Sequence, residues 1–264
     1  MAAYADQAAR SQKGDGGEPA AIVAVTGGAQ GIGRGIAVEF ARTGQDVVIF
    51  DRVEAAREGE LTIEMIHNIG RRGVFVPLDV TDVEAIPRAL ATGIDQLGLP
   101  IVWVNNAGTV ARGPALAVAP EEWYRVLNTC LTGAFFCAQA FAARLVEEEL
   151  NGVIVNIASV FGLVAGPHRA AYSAAKAGLV NLTRVLASEW YPYGIRVNCV
   201  APTFVKTTMT MQLLSEGLDI VNKSFGEQVA SVEDVARAVR FLASADARMI
   251  NGHTLAVDGG WVSW

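Results

Sequence analysis

The stretch that most restricts what this chain can fold into is residues 21–33. Ala21-Ile22-Val23-Ala24-Val25 is short, β-branched and nearly all apolar, the pattern of a strand covered on both faces. It runs directly into Thr26-Gly27-Gly28-Ala29-Gln30-Gly31-Ile32-Gly33, after which Ile36, Ala37, Phe40 and Ala41 recur at helical spacing until Gly44. Strand, Gly-rich turn and helix in this order make a dinucleotide-binding unit. The glycines allow a tight turn and close approach to a pyrophosphate, and the helix N-terminus offers it unpaired N–H groups. A Gly-rich turn also serves plain turn geometry, so its neighbours must decide.

The next strand, Val47-Val48-Ile49-Phe50, ends in Asp51, about 20 residues past the glycines, where a carboxylate can accept hydrogen bonds from the adenosine ribose. It would also repel a 2′-phosphate, and Gln30 in the turn is not basic, so the expected cofactor is NAD rather than NADP. Arg52 reads as a solvated arginine that opposes this preference only if it folds back onto a 2′-phosphate.

The pattern then repeats. A helix is predicted over about residues 54–70 and a strand over 74–78, followed by Asp79 and Val80. Asp82 reads as a helix N-cap, with Pro87 kinking that helix or shortening its first turn. A strand over 101–104 leads into Asn105-Asn106-Ala107-Gly108, and one long helical region carrying Asn128 is predicted from Pro120 to Glu149. Strands over 153–157, 195–200 and 254–257 complete the set. They end at Ala158-Ser159, Ala201-Pro202-Thr203 and Asp258-Gly259-Gly260. Residues 207–228 pattern weakly and read as an insertion, and Ser231 with Asp234 caps a helix through Ala243. The expected fold is α/β: a single-domain, Rossmann-type, doubly wound seven-stranded parallel sheet with helices on both faces. That domain spans 20–264, behind a flexible, polar N-terminal extension at 1–19. The cofactor site falls mainly in 20–110 and the catalytic and substrate region mainly in 111–264.

The 264 residues suit one α/β domain with a large core, and a net charge of -6 lacks the footprint of a nucleic-acid binder. Cys130, Cys137 and Cys199 form neither a disulfide framework nor a metal-ligand pattern, so a reducing compartment and no metal are expected. With no apolar leader and no uninterrupted apolar run of ~18 residues, the expectation is a soluble cytoplasmic protein with no membrane partner.

Gly27, Asp51, Asp79, Asn105, Ser159 and Pro202 all fall at or just past the C-terminal ends of predicted strands. In a parallel sheet those ends share one edge, where ligands bind. Tyr172 and Lys176 stand four apart in a helix-forming segment, so both emerge on one face. A lysine ammonium beside a phenol favours the phenolate, which permits proton exchange without histidine or metal.

In Thr26-Gly-x-x-x-Gly-x-Gly33, Asn105-Asn106-Ala107-Gly108, Asn128, Ser159, Tyr172-x-x-x-Lys176 and Asp258-Gly259-Gly260 the chain resembles the short-chain dehydrogenase/reductase family from about Ala20 to Trp261. The resemblance implies NAD(P)-dependent interconversion of a small-molecule alcohol and a ketone. It implies Tyr172 as the proton-exchanging group, Ser159 as the orienter of the substrate oxygen, and Asn128 as the holder of a relay water. Lys176 would act on Tyr172 and on the nicotinamide ribose. Around the cofactor it implies Gly27, Gln30, Gly31, Ile32 and Gly33 in the turn, and Asp51 and Arg52 at the ribose. Asp79 and Val80 would sit at the adenine, with Asn105, Ala107, Gly108 and Pro202 along the cofactor. Val205 and Thr207 would meet the carboxamide. It further implies a homo-oligomer, a tetramer, and the apolar faces of the helices near 120–145 and 171–190 read either as its interfaces or as core packing. One departure is Pro202-Thr203, where members often carry Pro-Gly; some sugar- and polyol-oxidising members look similar there.

The expected substrate is accordingly a small polyol, sugar or sugar acid. The alternatives are a 3-oxoacyl thioester reductase using NADPH and a catalytically silent nucleotide-binding regulatory protein on the same fold. His168 reads as a rim residue or polar substrate contact. Arg112 reads as a solvated arginine, with an anionic substrate as its other partner, and Cys130 reads as core packing.

Overall fold

A computed structural model describes residues 20–207 and 229–263. The N-terminal extension at 1–19 and nearly all of the 207–228 insertion lie outside the described residues. The chain opens with β1 (Ile22–Thr26), α1 (Gly31–Arg42), β2 (Asp46–Asp51), α2 (Ala56–Asn68) and β3 (Gly73–Pro77). It continues with α3 (Ile86–Leu97), β4 (Val102–Asn105), α4 (Pro120–Leu127), α5 (Gly133–Glu147) and β5 (Gly152–Ile157). It ends with α6 (Ala170–Glu189), β6 (Ile195–Pro202), α7 (Val232–Ala243) and β7 (Thr254–Val257).

Every strand pairing is parallel, in the spatial order β3-β2-β1-β4-β5-β6-β7. The winding reverses between β1 and β4, which opens a crevice at their C-terminal ends. Successive strand residues point to opposite faces, so β1 and β2 feed two cores. Val23, Val25, Val47 and Ile49 meet Ile36 and Phe40 of α1, Ile66 of α2, and Val235 and Val239 of α7. Ala24, Val48 and Phe50 face the other way, toward Ile86 and Leu90 of α3, Phe141 of α5 and Leu186 of α6. Ser231 caps α7 with the predicted reciprocal pair: its hydroxyl accepts from the Asp234 N–H, and the Asp234 carboxylate accepts from the Ser231 N–H.

Two local expectations need correction. Helix α3 starts at Ile86, so Asp82 caps the preceding turn through the Ala85 N–H at 3.2 Å rather than the helix itself. Pro87, which cannot donate to an intrahelical bond, sits in the first helical turn, where no such bond is required. The long helix predicted from Pro120 is interrupted by a π turn at Asn128–Thr132, in which the Gly133 N–H donates to the Asn128 carbonyl. The extra residue re-aims the side chains on either side of it, a feature common at functional sites. Residues 120–147 are by length and composition apolar enough to cross a bilayer, yet Cys137, Ala138, Phe141 and Leu145 are buried in the protein core.

Candidate active site

The Gly-rich turn is held from three sides. From β4, the Asn106 side-chain amide donates to the carbonyls of Thr26 and Gly27 at 2.9 and 3.0 Å. From α2, the Thr62 hydroxyl donates to the Ala29 carbonyl at 2.9 Å, and Arg34 of α1 donates to the same oxygen at 2.7 Å. From β2, the Asp51 carboxylate accepts from the Ala29 N–H at 3.0 Å. A side chain at Gly33 would drive its Cβ into the Gly27 carbonyl, so the helix start and the turn touch backbone to backbone. Gln30 at the N-cap of α1 makes no side-chain cap, which leaves the first-turn N–H groups for an anion. The glycine cradle, the uncapped helix and a partly buried carboxylate at the end of β2 together fit a nicotinamide dinucleotide.

On the far side of the crevice, Lys176 is buried at 3% exposure, and its Nζ donates to the Ile157 carbonyl at 2.7 Å. Its Nζ lies 5.7 Å from the Tyr172 ring centroid, so the predicted pair shares one face of α6. A Cβ placed on Gly108 would stand 3.7 Å from that Nζ, and one placed on Gly31 would stand 3.7 Å from Thr207 Cγ2. The β4 loop, the lysine and the chain after β6 therefore converge on one crevice. Ser159 leaves β5 buried, with its Oγ accepting from the Phe161 N–H at 3.3 Å. The turn after it seats on α6, because at Gly162 a Cβ would come within 2.8 Å of the Lys176 carbonyl. That contact sets the turn after Ser159 against the helix that carries Tyr172.

Several predicted contacts are modified by what their side chains already do. Asn105 does not turn its amide toward a cofactor. Trp103 Nε1 donates to its Oδ1 at 2.8 Å, while its Nδ2 donates to Asn156 and to the Ala134 carbonyl at 2.9 and 3.0 Å. The network continues from Asn156 to Thr183, which ties β4 and β5 to α6 beneath the site. Asn106, which had drawn no role of its own, is the residue that braces the turn. Val205 is buried at 4% exposure within the core, so only its backbone can face the crevice, and Val80 is likewise buried. Asp79 is exposed and accepts from the Thr81 N–H and hydroxyl. Cys130 is buried and hydrogen-bonded to the Thr109 backbone, as core packing requires. Burial alone lifts the Cys137 thiol to about 12, and burial outweighs nearby Lys176 in lifting Cys199 to about 11.

The reading of Arg112 as solvated does not hold: its Nε and Nη1 are buried and without hydrogen-bond partners. Arg169 stacks on Phe161, with its guanidinium carbon 4.5 Å from the ring centroid. Phe204 and Trp261 complete an aromatic wall, with Phe161 to Trp261 at 5.3 Å. Trp261 is placed there by Asp258, whose carboxylate accepts from the N–H groups of Gly260 and Val262. Phe161 and Phe204 fall in the two segments, 160–169 and 204–228, expected to set the substrate, whereas their stacking on one another and on Trp261 carried no sequence signal.

The fold and crevice define a nicotinamide-dependent oxidoreductase of Rossmann type. Residues 27–262 match a family model described as enoyl-(acyl carrier protein) reductase. The chain is 33% identical over 245 residues to the 2-dehydro-3-deoxy-D-gluconate 5-dehydrogenase of Escherichia coli, covering 92% of this chain and 95% of that protein. It is 35% identical to the 3-oxoacyl-[acyl-carrier-protein] reductase of Synechocystis, covering 92% and 97% of the two chains. A crystal structure from Agrobacterium tumefaciens, provisionally named a 2-deoxy-D-gluconate 3-dehydrogenase and holding NADP, superposes with a TM-score of 0.86 at 32% identity, covering 96% of this chain and 100% of that one. The chain belongs to the short-chain dehydrogenase/reductase family and is an NAD(P)-dependent enzyme acting on CH–OH groups of small molecules.

Proposed function

We propose that this enzyme interconverts a secondary alcohol and a ketone of a small polyol, sugar or sugar acid, with NAD as the preferred cofactor. The observation that supports the reading is that buried Lys176 lies beside Tyr172 on α6, close to Gly108 of the β4 loop, and backs the turn that follows Ser159. A bound nicotinamide ring supplies the hydride acceptor or donor. Tyr172 takes or gives the substrate hydroxyl proton, and Ser159 donates a hydrogen bond that orients the same oxygen. Lys176, locked by the Ile157 carbonyl, would place its ammonium between Tyr172 and the nicotinamide ribose. Asn128, re-aimed by the π turn, holds a water that relays the proton outward. Gly27 to Gly33 would cradle the pyrophosphate, and Asp51 would meet the adenosine ribose.

Asp51 supports NAD, whereas the Agrobacterium relative holds NADP. The Synechocystis relative supports the second reading, a 3-oxoacyl thioester reductase using NADPH. Steady-state kinetics on a panel of secondary alcohols, sugars and sugar acids with both cofactors decides between them. The expected result is a kcat/KM at least about tenfold higher with NAD, as a carboxylate facing a 2′-phosphate implies. Equal or better turnover with NADP refutes the cofactor assignment, and activity confined to acyl thioesters refutes the substrate class.

A further inference from the structure

The π turn presents two very different side chains. Asn128, at its start, is exposed, whereas Cys130 is 1% exposed. The turn is seated on α6, since a Cβ at Gly178 would come within 3.0 Å of the Leu131 side chain. Cys130 lies in the small apolar cluster with Ala171 and Ala175, against which Tyr172 packs. From that seat its Sγ holds the loop after β4 by both backbone groups of one residue: it accepts from the Thr109 N–H at 3.3 Å and donates to the Thr109 carbonyl at 3.2 Å. Among the described residues neither group has another hydrogen-bond partner. Arg125 reaches the Thr109 hydroxyl and the Val110 carbonyl from outside, where water can take its place.

The other end of that loop is tied to the Gly-rich turn. The Asn106 and Ala107 N–H groups donate to the Thr26 hydroxyl at 3.0 and 3.1 Å, beside the Asn106 amide bonds to the Thr26 and Gly27 carbonyls. Gly108 is the one residue between the two ties. A methyl group placed on it would stand 3.6 Å from Cys130 Sγ and 3.7 Å from Lys176 Nζ, so thiol, loop and ammonium border a single methyl-sized space. A thiol is a weak donor and a weak acceptor. It matters here because Cys130 itself is buried, so no water can stand in for the sulfur.

We propose that Cys130 is a positioning residue: its thiol anchors the β4 loop at Thr109 and so fixes Gly108 against Lys176, which sets the room left for a nicotinamide ribose beside that lysine. This rests on the alcohol–ketone reading and adds to it the residue through which the π turn acts at the lysine. Asn128, exposed at the start of the turn, keeps the outer end of the water route. A thiol that served packing alone could be replaced by any apolar side chain of its size. A thiol that anchors the loop cannot, because the Thr109 groups need a donor and an acceptor.

The test separates volume from hydrogen bonding. Cys130→Val fills nearly the same space with no donor or acceptor, and Cys130→Ala loses the bonds without adding a branch. Cys130→Ser keeps both functions in a smaller side chain. Valine and alanine should each lower kcat about tenfold and weaken binding of the preferred reduced dinucleotide, read by fluorescence titration, about tenfold, the factor one net hydrogen bond of ordinary strength supplies. The KM for the alcohol should stay within about threefold, and serine should recover about threefold of each loss. Hydrogen exchange on the cofactor-free protein is a readout independent of turnover: residues 106–111 should exchange faster in the valine and alanine variants, with β5 and α6 unchanged. Thermal melts confirm that the variants fold. Wild-type kcat and dinucleotide affinity in Cys130→Val, a serine variant no better than valine, or faster exchange spread equally through β5 and α6 makes Cys130 a packing residue and overturns the proposal. A wild-type protein that oxidises no alcohol and reduces no ketone, with the affinity and exchange changes still in place, would instead sink the alcohol–ketone reading and leave the anchor standing.

Discussion

Strand β2 begins at one carboxylate and ends at another, and the molecule treats them differently. Asp46, at the start, is 1% exposed and accepts from the Arg72 N–H and from the side chains of both Arg71 and Arg72, at 2.6 to 3.0 Å. Burial would raise its carboxyl, but the hydrogen bonds from Arg72 and Arg71 and the Arg71 charge outweigh it and hold the group below its usual range. Asp51, at the end, accepts among the described residues only backbone N–H groups, from Ala29 and Arg52, and is partly buried. The arginines divide in the same way. Arg71 and Arg72 are matched by a carboxylate of the chain, whereas among the described residues Arg112 and Arg169 are not. Charge is closed at the N-terminal edge of the sheet and open at the C-terminal edge. Changes at the first edge should therefore cost stability with little loss of chemistry, and changes at the second should do the reverse.

The largest effect belongs to the open edge. Tyr172→Phe should reduce kcat about a thousandfold, the range that general acid–base catalysis supplies. Nicotinamide cofactor affinity, read by fluorescence titration, should stay within about threefold, and the melting temperature should hold because a partly buried ring is retained. A variant as active as wild type would remove Tyr172 from the proton step.

At the closed edge, Asp46→Ala should cost about 3 kcal/mol, since it strips a buried carboxylate from two cations. Arg71 and Arg72 are 29% and 60% exposed, so they can turn to water, which keeps the loss at the lower end for a buried pair. The midpoint of a thermal melt should fall by roughly 5–10 °C, with kcat/KM at low temperature nearly intact. Because the folded carboxyl titrates below its unfolded value, its contribution is complete above about pH 4 and disappears as pH falls through the folded pKa. The gap in melting temperature between wild type and variant should therefore be flat from pH 8 to pH 5 and narrow in stronger acid. A gap that widens in acid contradicts the pairing.

This contrast also separates what could be read in the sequence from what could not. Buried parallel strands announce themselves as local apolar runs, and the β-α order followed from them. The Ser231–Asp234 cap and the Tyr172–Lys176 face depend on spacings of three and four residues, which are equally local. The π turn at Asn128 was invisible because one extra residue in a helix-forming run changes backbone pairing and leaves composition untouched. The exchange of roles between Asn105 and Asn106 was invisible because adjacent identical residues differ only in which side of the pleat each side chain takes. The loops that carry Arg112 and Arg169 are far apart in the chain and are joined by one tertiary backbone bond. A lone arginine after a strand carries no signal of that joining, so the default reading as a solvated charge failed there.

The smallest effect tests whether pairing or burial makes the closed edge matter. Arg144 makes two ion pairs on α5, with Glu147 at 2.7 Å and Glu148 at 3.2 Å, so in number of partners it rivals Asp46. Its side chain is 43% exposed, and its partners are 60% and 52% exposed. In that setting water competes for every charge, and two long side chains must be ordered to hold the geometry, so an exposed pair contributes only about 0.2–1 kcal/mol. Two further terms act on Arg144→Ala in opposite directions: alanine favours the helix, and the lost cation no longer complements the negative C-terminal end of α5. The net expectation is a change within about 0.5 kcal/mol, shrinking further in high salt, against about 3 kcal/mol for Asp46→Ala. Chemical denaturation of the two variants side by side measures the difference. Equal losses would mean that the number of ion pairs sets stability here. The expected inequality assigns it to burial.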